Sequence, residues 1–334
     1  MYHARFKGNH YQVGCNYGSM LLKNGVKLNV CPTFPVDNQR TMFAMECVTK
    51  IKPFYPEIIE EIRGIADGNE AEFEFLCALI LSMYCYDTNV HCSCFAYHNG
   101  EKTVLGRNSD FLVSIEKLYM NVMYELDGVY RFTGNTTAFV EMEDGVNEYG
   151  LAVGLTFVPI KEVKPGFNVG IILRYLLEKC KTVEEAVIAI KKLPIASGGT
   201  LTIADATGEI AVVEIAPDYV HINRKHEGYI FSTNFFRSDE LNKLNLQGFD
   251  NWNAFERYNT MKNAFEKFKP SIEFAKNLLS GEYGFICQYD RKKNADTVWS
   301  VIYDLTDYKI LRVEGNPSRK EYQEDNRFSF NILK

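Results

Sequence analysis

The sequence has no long hydrophobic run. Its greasiest stretch, FEFLCALILSMYCY at 73–86, is too short and too interrupted to cross a bilayer. No basic run exceeds a few residues, and the formal net charge is −6. Both points argue against a nucleic-acid surface or a polybasic membrane anchor. The opening MYHARFKGNHYQVG holds no apolar signal core, so a cytoplasmic protein is expected. Neither G-x-G-x-x-G nor G-x-x-x-x-G-K-[ST] occurs, which disfavours a doubly wound nucleotide-binding fold. No two cysteines stand in a Cys-x-x-Cys pair, so a thioredoxin-like redox site is excluded. There is no internal repeat and no low-complexity tract.

What is present is ordinary globular material. The chain has 334 residues, 46% hydrophobic and 24% charged, enough to bury a large core without staples. Nine cysteines are scattered from Cys15 to Cys287, with Cys31 among them. Most sit in apolar surroundings, such as Cys77 in FLCALIL, and read as free buried thiols in a reducing compartment.

The first 90 residues read as mostly helical. In PEIIEEIRGIADG (56–68), Ile58, Ile59, Ile62 and Ile65 share one stripe, with proline to open the helix and Gly68 to close it. Residues 71–84 read as a second, more buried helix. From residue 92 the pattern turns to hairpins. CSCFAY and KTVLGRN flank Asn99-Gly100, and KLYMNVMYEL and VYRFTG flank Asp127-Gly128. TAFVEME and GLAVGLTFV flank Asp144-Gly145 in the same way. Two helices follow at 168–180 and 182–193, the second opened by a Thr182-x-x-Glu185 capping box. Strands return as TLTIAD, EIAVVEI, YVHIN and GYIFSTN, amphipathic segments fill 250–280, and a hairpin turning at 306–308 closes the chain. Hairpins with helices grouped between them predict an α+β fold: two stacked antiparallel sheets flanked by helices in an αββα sandwich.

One stretch concentrates the chemistry: NVHCSCFAYHNGEKTVLGRNSDF, residues 89–111. His91, Cys92, Cys94 and His98 are metal-ligand types, but Cys-x-Cys is not finger spacing and no second ligand pair follows. In a strand, Cys92 and Cys94 share a face and His91 takes the other. No metal is expected. A cysteine at the start of a strand could instead be a nucleophile. If the bond before Cys92 were cut, its own α-amine, with a pKa of about 7.7–8.0, would lie beside its sulfur and could take the thiol proton. The alternative is a buried strand cysteine without chemistry.

An ordered set of motifs resembles the N-terminal-nucleophile (Ntn) hydrolases of the acyl-coenzyme A:6-aminopenicillanic acid acyltransferase family. The choloylglycine hydrolases and penicillin V acylases are more distant relatives. GNHYQVGCNYGSML (8–21) is similar to the family's G-x-x-Y-x-x-G-x-x-x-G opening, and YPEIIEEIRGIADGNEAE (55–72) to its E-[IL]-x-G-[IL]-A-x-G segment. Cys92 precedes GRNSDF at the family's distance, whereas Cys94 would break that spacing. DGVNEYGLAVGLTF (144–157), FSTNFF (231–236) and TVWSVIYDLTDYKILRVEGNP (297–317) resemble three further family segments.

The resemblance implies roles. Cys92 would be the nucleophile and Asp110 would hold its freed amine. Asn234 would donate to the oxyanion, and Arg107 would lie beside the sulfur and lower its pKa. It implies cleavage between His91 and Cys92, giving a helical leader 1–91 packed on a catalytic core 92–334. The expected activity is cleavage of a linear amide of a small N-acyl substrate through a Cys92 thioester, with no metal or organic cofactor. The alternatives are acyl transfer to an amine, or a non-catalytic binding protein on the same fold. No nucleic-acid or membrane partner is expected; a homo-oligomer is compatible with it. Three positions depart from the pattern. His91 stands where glycine is usual, Thr156 stands where relatives carry an oxyanion-side Asn, and the late arginine of the family is matched only by Arg291.

Overall fold

The computed structural model describes residues 1–29, 35–86 and 91–331; Cys31 and Asn89–Val90 lie outside these. In chain order the elements are β1 (Tyr2–Gly8), α1 (His10–Lys23), α2 (Asn38–Ile51), α3 (Pro56–Asn69), α4 (Phe73–Leu81), β2 (His91–His98) and β3 (Thr103–Leu112). Then come β4 (Met120–Leu126), β5 (Phe132–Thr136), β6 (Asp144–Asn147), β7 (Ala152–Phe157), α5 (Val169–Lys179), α6 (Val183–Ile190), β8 (Gly199–Ala204) and β9 (Ile210–Ala216). The chain ends with β10 (Tyr219–Lys225), β11 (Gly228–Ser232), α7 (Ala254–Lys267), α8 (Ile272–Ser280), β12 (Ala295–Asp304), β13 (Lys309–Val313) and β14 (Gln323–Glu324).

The strands form two sheets, β1-β4-β5-β6-β7-β8-β9-β10 and β11-β2-β3-β12-β13-β14. The sheets pack on each other through β2 and β3 against β7 and β8, α5 and α6 cover the outer face of the first, and α7 and α8 that of the second. This is the expected αββα sandwich. Period-two burial explains it. Cys94, Ala96 and Leu105 face the space between sheets, while Phe95, Tyr97 and Val104 join Met261, Phe265 and Phe274 beneath α7 and α8.

Three local expectations are corrected. The N-terminal segment opens with a strand, not a helix: β1 pairs with β4 in parallel, so the larger sheet is not wholly antiparallel. Alternating Tyr2, Ala4 and Phe6 was the signal for it. Asp144-Gly145 is no turn. It lies inside β6, opposite Asn135 and Gly134 of β5, and the reversal falls at Gly150 with φ 81°. Asp144 is drawn into the sheet because Asn135, Tyr303, Trp299 and Arg107 all donate to its carboxylate. Finally, Gly68 does not close α3. The helix runs on to Asn69, with Glu70 left-handed at the cap.

Gly68 has another use. A Cβ there would stand 2.1 Å from the Cys15 carbonyl oxygen, and one on Gly64 2.1 Å from that of Tyr11. Reciprocally, Gly14 and Gly18 of α1 meet the carbonyls of Glu61 and Ile65 at 2.1 and 2.2 Å. The two helices touch backbone to backbone. The G-x-x-x-G spacing in each is a packing device, not a catalytic one. Glu61, in the same segment, accepts from Arg174 of α5 at 2.9 Å, and Tyr55 and His10 reach Glu178 at 2.6 and 3.1 Å. These buried bonds tie residues 1–91 to the rest of the molecule.

Candidate active site

The sandwich brings the ends of β2, β3, β7, β11 and β12 to one edge. Cys92 is the second residue of β2, fully buried, and its backbone N–H donates to Asn234 Oδ1 at 2.9 Å. Asn234 Nδ2 donates to the Phe157 carbonyl at 2.8 Å, which fixes the amide at the end of β7. The Cys92 sulfur turns inward and meets Arg107 from β3, whose Nη2 lies 2.7 Å away. Arg107 is itself held by Asp144 at 3.0 Å, Glu143 at 3.1 Å and the Leu155 carbonyl at 2.9 Å. Two carboxylates therefore flank the cation. Burial pushes the Cys92 thiol well above its usual range, and Arg107 offsets this only in part. Burial therefore favours the protonated thiol at Cys92.

Asp110 sits opposite His91 in the β2–β3 register, so it shares the His91 face and not that of the sulfur. The Asn99-Gly100 hairpin thus places Asp110 on the outer side of β2, beside His91. There Oδ1 accepts from Thr297 at 2.6 Å. Oδ2 is buried without a hydrogen bond among the described residues, with the Arg257 guanidinium 3.7 Å away. Burial raises the Asp110 carboxyl to about 6 against the pull of Arg257. A cation released nearby would find an open acceptor.

Arg257 is the residue that the sequence did not disclose. It enters from α7, fully buried, and donates to the Cys92 carbonyl at 2.5 Å, Ser93 Oγ at 2.9 Å and Asn234 Oδ1 at 2.9 Å. Its other donors hold the Asn251 and Trp252 carbonyls, each at 3.0 Å. The available signal was an arginine on the buried stripe Ala254, Met261 and Ala264 of an otherwise amphipathic helix. Arg291, the residue expected for the late arginine, lies elsewhere. It is half-exposed and pairs with Asp296 at 2.6 Å and Glu116 at 3.1 Å.

Thr156 is buried too, but its hydroxyl bonds Thr200 and, at 3.2 Å, Ser232. It belongs to the polar seam between the sheets, and none of these bonds reaches Cys92. The four metal-like ligands of the sequence are separated. His91 stacks on Trp252 at 4.4 Å between ring centres, Cys92 faces inward, and His98 bonds Thr103.

Both His91 ring nitrogens are buried without a hydrogen bond among the described residues, and burial holds its pKa down at about 3. The folded chain keeps this imidazole neutral, while the unfolded chain protonates it below the ordinary 6.5. The unfolded state binds more protons between those values, so stability is lost as the pH is lowered, by roughly 1.4 kcal/mol per unit. Asp110, with its raised pKa, works in the opposite direction between 3.8 and about 6. Comparing Cys92→Ala with Cys92→Ala/His91→Phe cancels the Asp110 contribution. The expected outcome is a double variant that gains on the single one by at least 2 kcal/mol between pH 7 and pH 4.5, read by urea unfolding. A pH-independent difference would show that His91 is not buried neutral.

Residues 97–319 match the acyl-coenzyme A:6-aminopenicillanic acid acyl-transferase family, and the chain belongs to it. It is an enzyme with the Ntn-hydrolase fold, as the resemblance implied. No curated protein sequence matches the chain. Similar solved structures include a Caenorhabditis elegans N-acylethanolamine-hydrolyzing acid amidase ortholog, 17% identical over 65% of this chain and 96% of that one, with a TM-score of 0.49. Penicillin V acylase from Agrobacterium tumefaciens is 17% identical over 67% and 83%, with a TM-score of 0.42. A mutant conjugated bile acid hydrolase from Clostridium perfringens is 16% identical over 72% and 98%, with a TM-score of 0.44. No helix among the described residues is long and apolar enough to cross a membrane.

Proposed function

We propose that the chain is a cysteine Ntn hydrolase that cuts itself before Cys92 and then cleaves a linear amide of a small N-acyl substrate. The observation that carries this is the setting of the His91–Cys92 bond. Its nitrogen is held by Asn234, the carbonyl on its far side by Arg257, its sulfur by Arg107, and an unfilled Asp110 oxygen lies on the adjacent strand.

In the first reaction the Cys92 sulfur attacks the His91 carbonyl carbon, the C–N bond breaks, and water hydrolyses the resulting thioester. The products are a His91 carboxylate and a free Cys92 α-amine. Asp110 Oδ2 then accepts a hydrogen bond from that amine and keeps it beside the sulfur. In the second reaction the amine takes the thiol proton as the sulfur attacks the substrate carbonyl, and returns it to the departing amine. The displaced Asn234 amide stabilises the oxyanion. Water completes the cycle and releases the acid.

Intact-mass analysis tests the reading. Wild type should resolve into fragments 1–91 and 92–334, and Cys92→Ala should stay whole. A wild-type chain that remains whole while turning over amides would sink the α-amine mechanism.

The family description supports acyl transfer as a second reading. The same thioester can be captured by an amine in place of water, and added hydroxylamine should then yield hydroxamate faster than free acid.

A further inference from the structure

The uncut chain already holds one acyl group at the site, its own. Because the Cys92 sulfur attacks both the His91 carbonyl and a substrate carbonyl, the group attached to the former marks where the latter's acyl group goes. Besides its peptide link to residue 90, that group carries a carbonyl, two carbons and a flat, uncharged ring.

The ring is received by an aromatic slot. Trp252 stacks on it at 4.4 Å with 25° between planes, and Phe249 stands 6.3 Å away. Phe249 also borders a cavity of about 300 Å³ that reaches Asn234 and is walled by Val158, Phe235, Leu246 and Phe255. The slot is held from beneath. The Trp252 carbonyl accepts from Arg257 and from Gln288, each at 3.0 Å, and Trp252 and Asn253 carry φ of 49° and 57°. Two consecutive left-handed residues without glycine are uncommon, and here they accompany an indole stacked on the His91 ring. No hydrogen-bond partner meets the His91 ring nitrogens among the described residues, so the slot offers π surface and no polar recognition. Burial, with the Arg257 guanidinium beside it, keeps the His91 ring neutral, so the slot disfavours a cation.

We infer that Trp252 and Phe249 form the acyl subsite, vacated by His91 after cleavage, and that the substrate class is amides of uncharged 3-arylpropanoyl-type acids. This rests on the reading of Cys92 as the nucleophile of a self-cut enzyme.

The test uses the processed wild-type enzyme and anilides of one chromogenic amine carrying acetyl, hexanoyl, succinyl, phenylacetyl or 3-phenylpropanoyl groups. The 3-phenylpropanoyl anilide should have the highest kcat/KM, about tenfold above hexanoyl and more above succinyl, the size expected of one good aromatic contact. Trp252→Leu should reduce that aryl-to-hexanoyl ratio to below about threefold. Phe249→Leu gives the same readout should Trp252→Leu not fold. 3-Phenylpropanoate should inhibit the wild type competitively and change its tryptophan emission. Turnover without an aryl preference, or a preference that survives both substitutions, overturns the acyl assignment while leaving the Cys92 reading intact. A self-cut enzyme that neither cleaves any anilide nor binds 3-phenylpropanoate overturns both.

Discussion

Arg257→Lys is expected to fold and to cut itself far more slowly than the wild type. Arg257 spreads its donors over five acceptors: the Cys92, Asn251 and Trp252 carbonyls, Ser93 Oγ and Asn234 Oδ1. A lysine keeps the charge near Asp110 but is a point donor and cannot hold a fork of this kind. Asn234 then loses one of the bonds that aim it, and the Cys92 carbonyl is no longer clamped. Arg257 acts through Asn234 and the Cys92 carbonyl, not on the reacting His91 carbonyl, and a misplaced reacting centre typically loses roughly 10²-fold. The time course of fragment appearance by intact mass should slow by that factor, with the circular dichroism spectrum unchanged. Cleavage at the wild-type rate would remove Arg257 from the machinery. Arg257→Leu is the poorer probe, since it strands the buried Asp110 carboxylate and costs about 3–5 kcal/mol of stability on that account.

Gly64→Ala should be among the most destabilising single methyl additions, with Gly14, Gly18 and Gly68 its equals in clash. The new Cβ would stand 2.1 Å from the Tyr11 carbonyl oxygen and 2.8 Å from the Cys15 nitrogen. Both are backbone atoms, so no side chain can swing away and the helices must separate. Overpacking costs typically 1–3 kcal/mol, and rigid neighbours place this site at the upper end, about 3 kcal/mol. The Cys92→Ala background lacks the proposed nucleophile, so urea unfolding of that background with and without Gly64→Ala isolates the effect. A difference below 0.5 kcal/mol would mean that α1 and α3 do not meet as described. Gly25→Ala is the control for helix-independent effects, because a Cβ there meets open space, although its φ of 80° carries a strain of its own.

These two residues mark what could be read from the chain. The α3 stripe, the Thr182 cap and the hairpins at Asn99-Gly100 and Asp127-Gly128 were legible because each is a local signal: a period, a cap, a turn dipeptide. Cys92, Asp110, Asn234 and Arg107 were named through the family resemblance, and the structure places Arg107 and Asn234 against Cys92, with Asp110 opposite His91. Arg257 was missed because its partners are distant in sequence and its helix has only a moderate apolar pattern. Arg291 was chosen instead by position in the chain, which says nothing of the side on which a loop emerges. Asp144-Gly145 resembled a turn because nothing nearby in sequence announces the arginine, tyrosine and tryptophan that satisfy Asp144 within a sheet. Long-range polar satisfaction overrode the local propensity.

The pairing of β1 with β4 has a consequence for the two fragments that cleavage would create. β1 is the last strand on its side of the larger sheet, so the fragment 1–91 would be that sheet's selvedge. Its loss would bare the seven-residue row of β4 backbone groups that β1 now pairs, together with the apolar face under α1 and α3. A naked edge of that length recruits strands from other molecules. A severed piece would therefore have to stay as a subunit, and stripping it away would be a route to aggregates, not to a leaner enzyme.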